Sequence, residues 1–112
     1  MAKRVTNLSD IQDYFQGVMS RANHHADNVN AIILGLIGCV IWKSKGNFWV
    51  REYAGAPANM LWMDVDNTTY CFRYDHVKNV VELRKGSAKG NIIDTFNNQT
   101  SLVDLKNCFE NL

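Results

Sequence analysis

Apolar side chains recur at alternating spacings of three and four residues through the first third of the chain, the spacing of one face of an α-helix. This apolar stripe predicts a long helix from Asp10 to Ile37. A capping box at Ser9 and Gln12 would begin the helix, and Gly38 would end it. The stripe consists of Leu8, Ile11, Phe15, Val18, Ala22, His25, Val29, Ile32 and Leu36.

The predicted helix is too long to be straight inside a small domain. Unbroken, it would measure about 42 Å, whereas a compact chain of 112 residues is about 35 Å across. It must therefore bend between Asn23 and Asn30, where poor helix formers cluster, or project and pack on a second copy of the chain.

After Gly38 the apolar pattern becomes alternating, and turn residues separate short β-branched and aromatic runs, which indicates an antiparallel meander. A last helix is predicted after Thr100 or Ser101, with the apolar positions Leu102, Leu105, Phe109 and Leu112. We therefore predict one α+β domain over 1–112: a long N-terminal helix packed on an antiparallel sheet of five to six strands, and a short C-terminal helix. The predicted strands are Cys39 to Ser44, Phe48 to Tyr53, Met60 to Val65, Thr69 to Tyr74, Val80 to Arg84 and Asn91 to Phe96.

The composition is that of a folded globular chain: 46% of residues are hydrophobic, 21% are charged, and the formal net charge is +1. Scattered basic residues predict neither a nucleic-acid nor a membrane partner. The start of the chain lacks the apolar core of a secretory signal, and the apolar run from Ala31 to Trp42 is shorter than the roughly 20 residues of a membrane span. We expect a cytoplasmic protein.

Few residues suggest catalysis or cofactor binding. Cys39, Cys71 and Cys108 lack metal-ligand spacing, which indicates free and mostly buried thiols. No nucleophile or phosphate-loop motif occurs. We predict no catalytic residue, no metal and no cofactor.

Two adjacent histidines lie in the predicted helix. His24 and His25 would point about 100° apart, so they cannot chelate one ion together. His24 shares a face with Asp27 and Asn28, but no third ligand is near. His25 falls inside the apolar stripe, which is typical of a buried, hydrogen-bonded histidine; the alternative is a pH-sensitive contact that sets the register between partner helices.

Aromatic residues are abundant in the predicted sheet, and both faces of the hairpin from Met60 to Tyr74 carry large apolar groups. Core packing explains part of this supply; an apolar pocket between helix and sheet, or a dimer surface, would use the rest. For such a pocket we predict ligand contacts from Trp62, Arg73, Tyr74, His24 and His25. The alternative for Arg51, Arg73 and Arg84 is a set of salt bridges on the face of the sheet, with Glu52, Asp64 or Glu82.

Four segments resemble those of small proteins encoded by integron gene cassettes: 21–29, 59–62, 70–76 and 95–98. Residues 70–76 read Tyr-Cys-Phe-Arg-Tyr-Asp-His, and 95–98 read Thr-Phe-Asn-Asn. The resemblance implies a bacterial accessory protein encoded on a mobile element, and it brings no catalytic residues.

Three hypotheses about function follow. The first is a non-enzymatic binding or interaction module, homodimeric through the long helix and the second face of the sheet. The second is a small-molecule-binding domain or minor enzyme, with an aromatic-lined pocket for a small apolar ligand between helix and sheet. The third, suggested by the mobile-element resemblance alone, is an antitoxin-like or immunity-like partner of another protein.

Overall fold

The computed structural model describes residues 2–4, 7–45, 47–53 and 56–112, with the side chains of 2–4, 24–25, 52–53 and 56–59 outside the description. Within these ranges the chain forms six strands and three helices. The strands are β1 (Ala2–Arg4), β2 (Phe48–Tyr53), β3 (Ala56–Val65), β4 (Thr68–Asp75), β5 (Val80–Lys85) and β6 (Ile92–Phe96). The helices are α1 (Leu8–His25), α2 (Ile32–Ser44) and α3 (Leu102–Glu110).

The strands form one sheet in the order β1-β2-β3-β4-β5-β6, with every neighbouring pair antiparallel. Val50, Leu61, Phe72 and Leu83 lie side by side across four strands and face the helices. This arrangement confirms the predicted α+β class, since the alternating pattern after residue 47 places one apolar row on the core side. The buried residues of this core face are Phe48, Val50, Leu61, Met63, Val65, Tyr70, Phe72, Val81, Leu83 and Phe96.

The predicted long helix is broken into α1 and α2, which confirms the bend between residues 23 and 30. The largest dimension of the molecule is 32 Å, so an unbroken helix would not fit. The chain leaves the helix after His25 and re-enters it at Ile32. Ala22 of α1, Val29 of the linker and Ile32 of α2 are all buried, so the apolar stripe continues into the core through the break.

Asn98, in the loop between β6 and α3, holds the second helix at its start. Ala31 is the N-cap of α2 but makes no side-chain cap bond of its own. Instead, the backbone N–H groups of Ala31 and Ile32 each donate to Asn98 Oδ1 at 3.0 Å. Asn98 Nδ2 donates to the Asp27 carbonyl and to Asn30 Oδ1, both at 2.9 Å. One side chain from a distant loop thus caps α2 and ties down the linker before it.

The prediction of a strand from Cys39 to Ser44 was wrong, as was the helix stop at Gly38. Gly38 and the segment from Cys39 to Ser44 all belong to α2. This helix ends where Lys45 adopts a left-handed conformation with φ 52°. Because the break delays the start of α2, the helix must run further to bury its apolar face. The buried positions, spaced as on a helix, are Ile32, Leu36, Ile37, Val40 and Ser44.

Other ends of elements differ from the sequence in detail. The cap of α1 is Asn7, whose Oδ1 accepts from Asp10 N at 2.9 Å, and not the predicted Ser9. Strand β1 was not predicted at all. Ser101 caps α3 as predicted, by accepting from Asp104 N at 3.0 Å. Among the described residues, the structure contains no helix with both the length and the apolar content to cross a membrane.

We predict that Asn98→Ala lowers the free energy of unfolding by about 2 kcal/mol, because it removes the cap of α2 and leaves linker groups unpaired. Asn98→Asp should cost roughly half as much, since it keeps the acceptor and adds a negative charge at a helix N-terminus. The matched control is Gln99→Ala, at an exposed neighbour. Urea denaturation measures all three; equal losses for Asn98→Ala and Gln99→Ala would contradict the capping role.

Candidate functional site

A cavity of about 110 Å³ lies between the two N-terminal helices and the core face of the sheet. Its lining is almost wholly apolar. Such a concave apolar site with few polar groups is the usual form of a small-molecule site, although this one is small. The cavity is lined by Tyr14, Val18, Ile33, Leu36, Ile37, Val40, Met60, Leu61, Phe72, Arg73, Tyr74 and Val81.

The walls of the cavity come from five elements, α1, α2, β3, β4 and β5. Tyr14 and Val18 are four residues apart, so both lie on the inner side of α1. The break after His25 lets α1 and α2 approach the sheet separately, and the cavity lies between them. Sequence reasoning did not select Tyr14 or Val18 as site residues. Val18 belongs to the apolar stripe, and Tyr14, which precedes stripe residue Phe15, broadens the apolar face.

Tyr14 brings a hydroxyl group to this apolar lining. The side chain is half-buried, and burial raises the pKa of Tyr14 well above its usual value, so the hydroxyl stays neutral. Among the described residues, none forms a hydrogen bond with it. In that same part of the chain, Ser44 Oγ is the one side-chain polar atom that is both closed off from solvent and without a hydrogen-bond partner. Tyr14 Oη also has no partner among these residues but is not such an atom, so part of its surface is not covered by the protein.

Tyr74 forms the opposite wall, and its hydroxyl is already engaged. It donates to Asn79 Oδ1 at 2.9 Å, and the Asn79 carbonyl accepts from Asn28 Nδ2 at 2.8 Å. The ring packs edge-on against His76, with 4.7 Å between centroids. Burial, reinforced by the Asp27 and Asp75 carboxylates, raises the pKa of Tyr74. Tyr74 thus joins the cavity wall to the α1–α2 linker.

Arg73 is also among the residues that border the cavity, whereas Trp62 is not. Trp62 and Arg73 alternate with core-facing residues, so their side chains project from the open face of the sheet, the face turned away from the helices. Arg73 borders the cavity from its position in β4, between Phe72 and Tyr74. The side chains of His24 and His25, the last residues of α1, lie outside the described residues, so their roles stay predictions.

The predicted arginines meet on the open face, around Cys71. This thiol is fully buried between its strand neighbours Trp62 and Arg84. Burial raises the pKa of Cys71, and the charges of Arg73, Arg84 and Arg51 partly offset that effect. Among the described residues, one of the predicted sheet-face salt bridges is present, between Arg84 Nη2 and a Glu82 oxygen at 2.9 Å, within strand β5.

A second apolar region lies on the outside of the helices. It comprises Leu34, Gly38, Ile41 and Trp42 of α2 with Leu102 of α3, and we call it the α2–α3 surface. Exposed fractions are 54% for Leu34, 37% for Ile41, 49% for Trp42 and 70% for Leu102, so this surface is far more open than the cavity. A Cβ atom added at Gly38 would meet nothing within 4 Å, which leaves a shallow groove in its middle.

Ionisable groups do not gather into a metal site: within the described residues, no group of three or more His, Cys, Asp and Glu side chains could hold an ion. The cysteines are free thiols, as predicted. Burial raises the pKa of Cys39. Burial, the Asp94 carboxylate and Cys39 together raise the pKa of Cys108 to about 11.

We predict slow alkylation of all three thiols in the folded protein at pH 8, because only the thiolate reacts. For Cys108, the thiolate fraction should be on the order of a hundredfold below that of an ordinary cysteine. Iodoacetamide labelling with and without urea, followed by mass spectrometry, measures the rates. Labelling of Cys71 at equal rates in both conditions would contradict its burial.

Comparison with known proteins gives a family but no assigned chemistry. Residues 11–106 match the family model described as "Integron cassette protein VCH_CASS1 chain". This span includes α1 from its second turn, α2, strands β2 to β6 and half of α3. No curated protein matches the chain.

Proposed function

The chain belongs to the integron cassette protein family, whose function is unknown, and from this premise we propose that it is a non-enzymatic, homodimeric interaction module. The observation that supports the proposal is the α2–α3 surface. Helix α2 is apolar nearly all the way round, which is typical of a helix covered on every side. The sheet and α3 cover its inner side, and a second copy of the chain would cover the outer side.

The size of the α2–α3 surface suits a dimer. Its four large side chains expose about 400 Å² of apolar area, within the range of roughly 300–600 Å² of the largest patch on a typical monomer, which is often functional. Because roughly 57% of an interface is apolar, this patch corresponds to about 700 Å² per copy. Stable dimers bury about 800 Å² per partner.

The order of residues along α2 is self-complementary. Leu34 and Trp42 each lie four residues from Gly38, one bulky group on either side of a gap. When two such helices cross antiparallel on a two-fold axis at Gly38, Leu34 of each copy lies against Trp42 of the other. A two-fold contact requires one surface to fit itself in this way. The open sheet face, which carries exposed Arg51 and Arg73, is less suited to burial.

We predict that the protein sediments as a dimer and that Trp42→Glu raises the dimer dissociation constant at least about 100-fold, since a buried unpaired charge costs about 3 kcal/mol or more. The control is Val77→Glu, at a residue 90% exposed on the β4–β5 turn. Sedimentation velocity over a concentration series measures the change. A monomeric wild type at every concentration would contradict the proposal.

Gly38→Ala gives a second test, in which the stability of the monomer and the stability of the dimer should change in opposite directions. Within one copy the new methyl group meets no atom, and alanine favours the helix by about 1 kcal/mol, so the monomer should become more stable. At a crossing centred on Gly38 the same methyl group would hold the helices apart and weaken the dimer. If Gly38→Ala stabilises the monomer but leaves the dimer dissociation constant unchanged, the dimer contact is not centred on Gly38.

The cavity supports a second candidate function, binding of a small apolar ligand. An engineered apolar cavity of about 150 Å³ in another protein accommodates benzene. The cavity here is somewhat smaller, at about 110 Å³, but it is partly open toward solvent. Apolar molecules of roughly six to eight heavy atoms therefore match it.

We predict that toluene at about ten times its dissociation constant stabilises the protein by ~1.4 kcal/mol, a rise in Tm of about 5 °C. Val18→Phe should abolish the rise, because the larger ring fills the cavity from α1. The control is Val103→Phe, which adds the same ring at a residue that is 66% exposed and outside the lining. An equal rise in Val18→Phe would show that toluene binds elsewhere.

A further inference from the structure

We propose that the cavity selects small neutral ring compounds that carry one hydrogen-bonding group, such as phenols, and that the Tyr14 hydroxyl pairs with that group. The inference rests on the proposed ligand-binding function. It adds the chemical class of the ligand and the residue that recognises it.

Tyr14 is the polar group that the lining leaves available. The Tyr74 hydroxyl is bound to Asn79, and the Arg73 side chain lies on the other face of the sheet. The remaining lining side chains are aliphatic, aromatic or thioether groups. Among the described residues, Tyr14 Oη has no hydrogen-bond partner and is not sealed. With the Tyr14 hydroxyl turned toward the cavity, a ligand would meet one polar group within an otherwise apolar wall.

The chemistry of a neutral phenol sets the ligand class. Burial keeps the Tyr14 hydroxyl protonated, so it can both donate and accept one hydrogen bond. A hydroxyl or carbonyl group on the ligand would satisfy it. A carboxylate or ammonium group would be desolvated without an opposite charge, because Arg73, the charged residue of the lining, alternates with core-facing residues and directs its side chain to the open face. The site therefore favours one polar atom on an otherwise apolar ring.

A matched pair of probes isolates the hydrogen bond. Toluene and p-cresol have the same ring and methyl group and differ by one hydroxyl. In wild type, both should bind. In Tyr14→Phe, p-cresol should bind about tenfold more weakly, the value of one hydrogen bond, while toluene affinity is retained. Tyr70→Phe is the control, since Tyr70 is buried in the core but outside the lining. It should leave both affinities unchanged.

Isothermal titration of both probes into the three proteins gives one p-cresol to toluene ratio of dissociation constants for each protein, and these three ratios do not depend on small differences in stability. A rise in the p-cresol to toluene ratio of dissociation constants in Tyr14→Phe alone supports the inference. If the ratio is unchanged in Tyr14→Phe while Val18→Phe still prevents both probes from binding, the role of Tyr14 is overturned and the ligand-binding function is left intact. Failure of both probes to bind wild type would overturn the ligand-binding function itself.

Discussion

The amide of Asn98 is the constraint on which the arrangement of the helices depends. A helix start buried against a sheet leaves N–H groups that must find acceptors, and α2 provides none from its own N-cap. Asn98 supplies the acceptor from the far end of the sequence, 66 residues from Ile32. Its N–H group also donates to the Asn28 carbonyl at 2.8 Å, so the linker is fixed at several points. Once the start of α2 is fixed, the course of the helix over the sheet is fixed too.

Both candidate sites follow from that placement. The inner side of α2 contributes Ile33 and Val40 to the cavity, and its outer side contributes Leu34 and Trp42 to the α2–α3 surface. The linker held by Asn98 is also bound to the cavity wall, because Asn28 donates to the loop that receives the Tyr74 hydroxyl. A single polar network therefore connects the end of β6, the linker and the wall of the cavity.

The strands of the sheet could be predicted from the sequence, but the hydrogen bonds that hold the linker could not. Five strands were predictable because a half-buried antiparallel strand shows a period of two, and their turns carry recognisable residues. The strand from Cys39 to Ser44 failed because a helix that is apolar on both sides loses its period, and its β-branched run resembles a buried strand. Among the cavity residues, Tyr74 was predicted as a ligand contact. That Tyr14 lies opposite it depends on how α1 packs on the sheet, which no sequence pattern shows. The role of Asn98 was hidden, since a cap contributed by a distant loop leaves no local pattern.

The composition of α2 explains why it needs contacts on several sides. Isoleucine and valine lose side-chain freedom in a helix, and Gly35 and Gly38 each cost about 1 kcal/mol relative to alanine. Gly35 has a packing reason, because a Cβ there would lie 2.9 Å from Leu105 Cδ2, and that side chain would have to shift. Gly38 has none within one copy, where the added atom meets nothing. The proposed dimer would give this intrinsically weak helix a covered outer side and would give Gly38 a packing role at the crossing of the two copies.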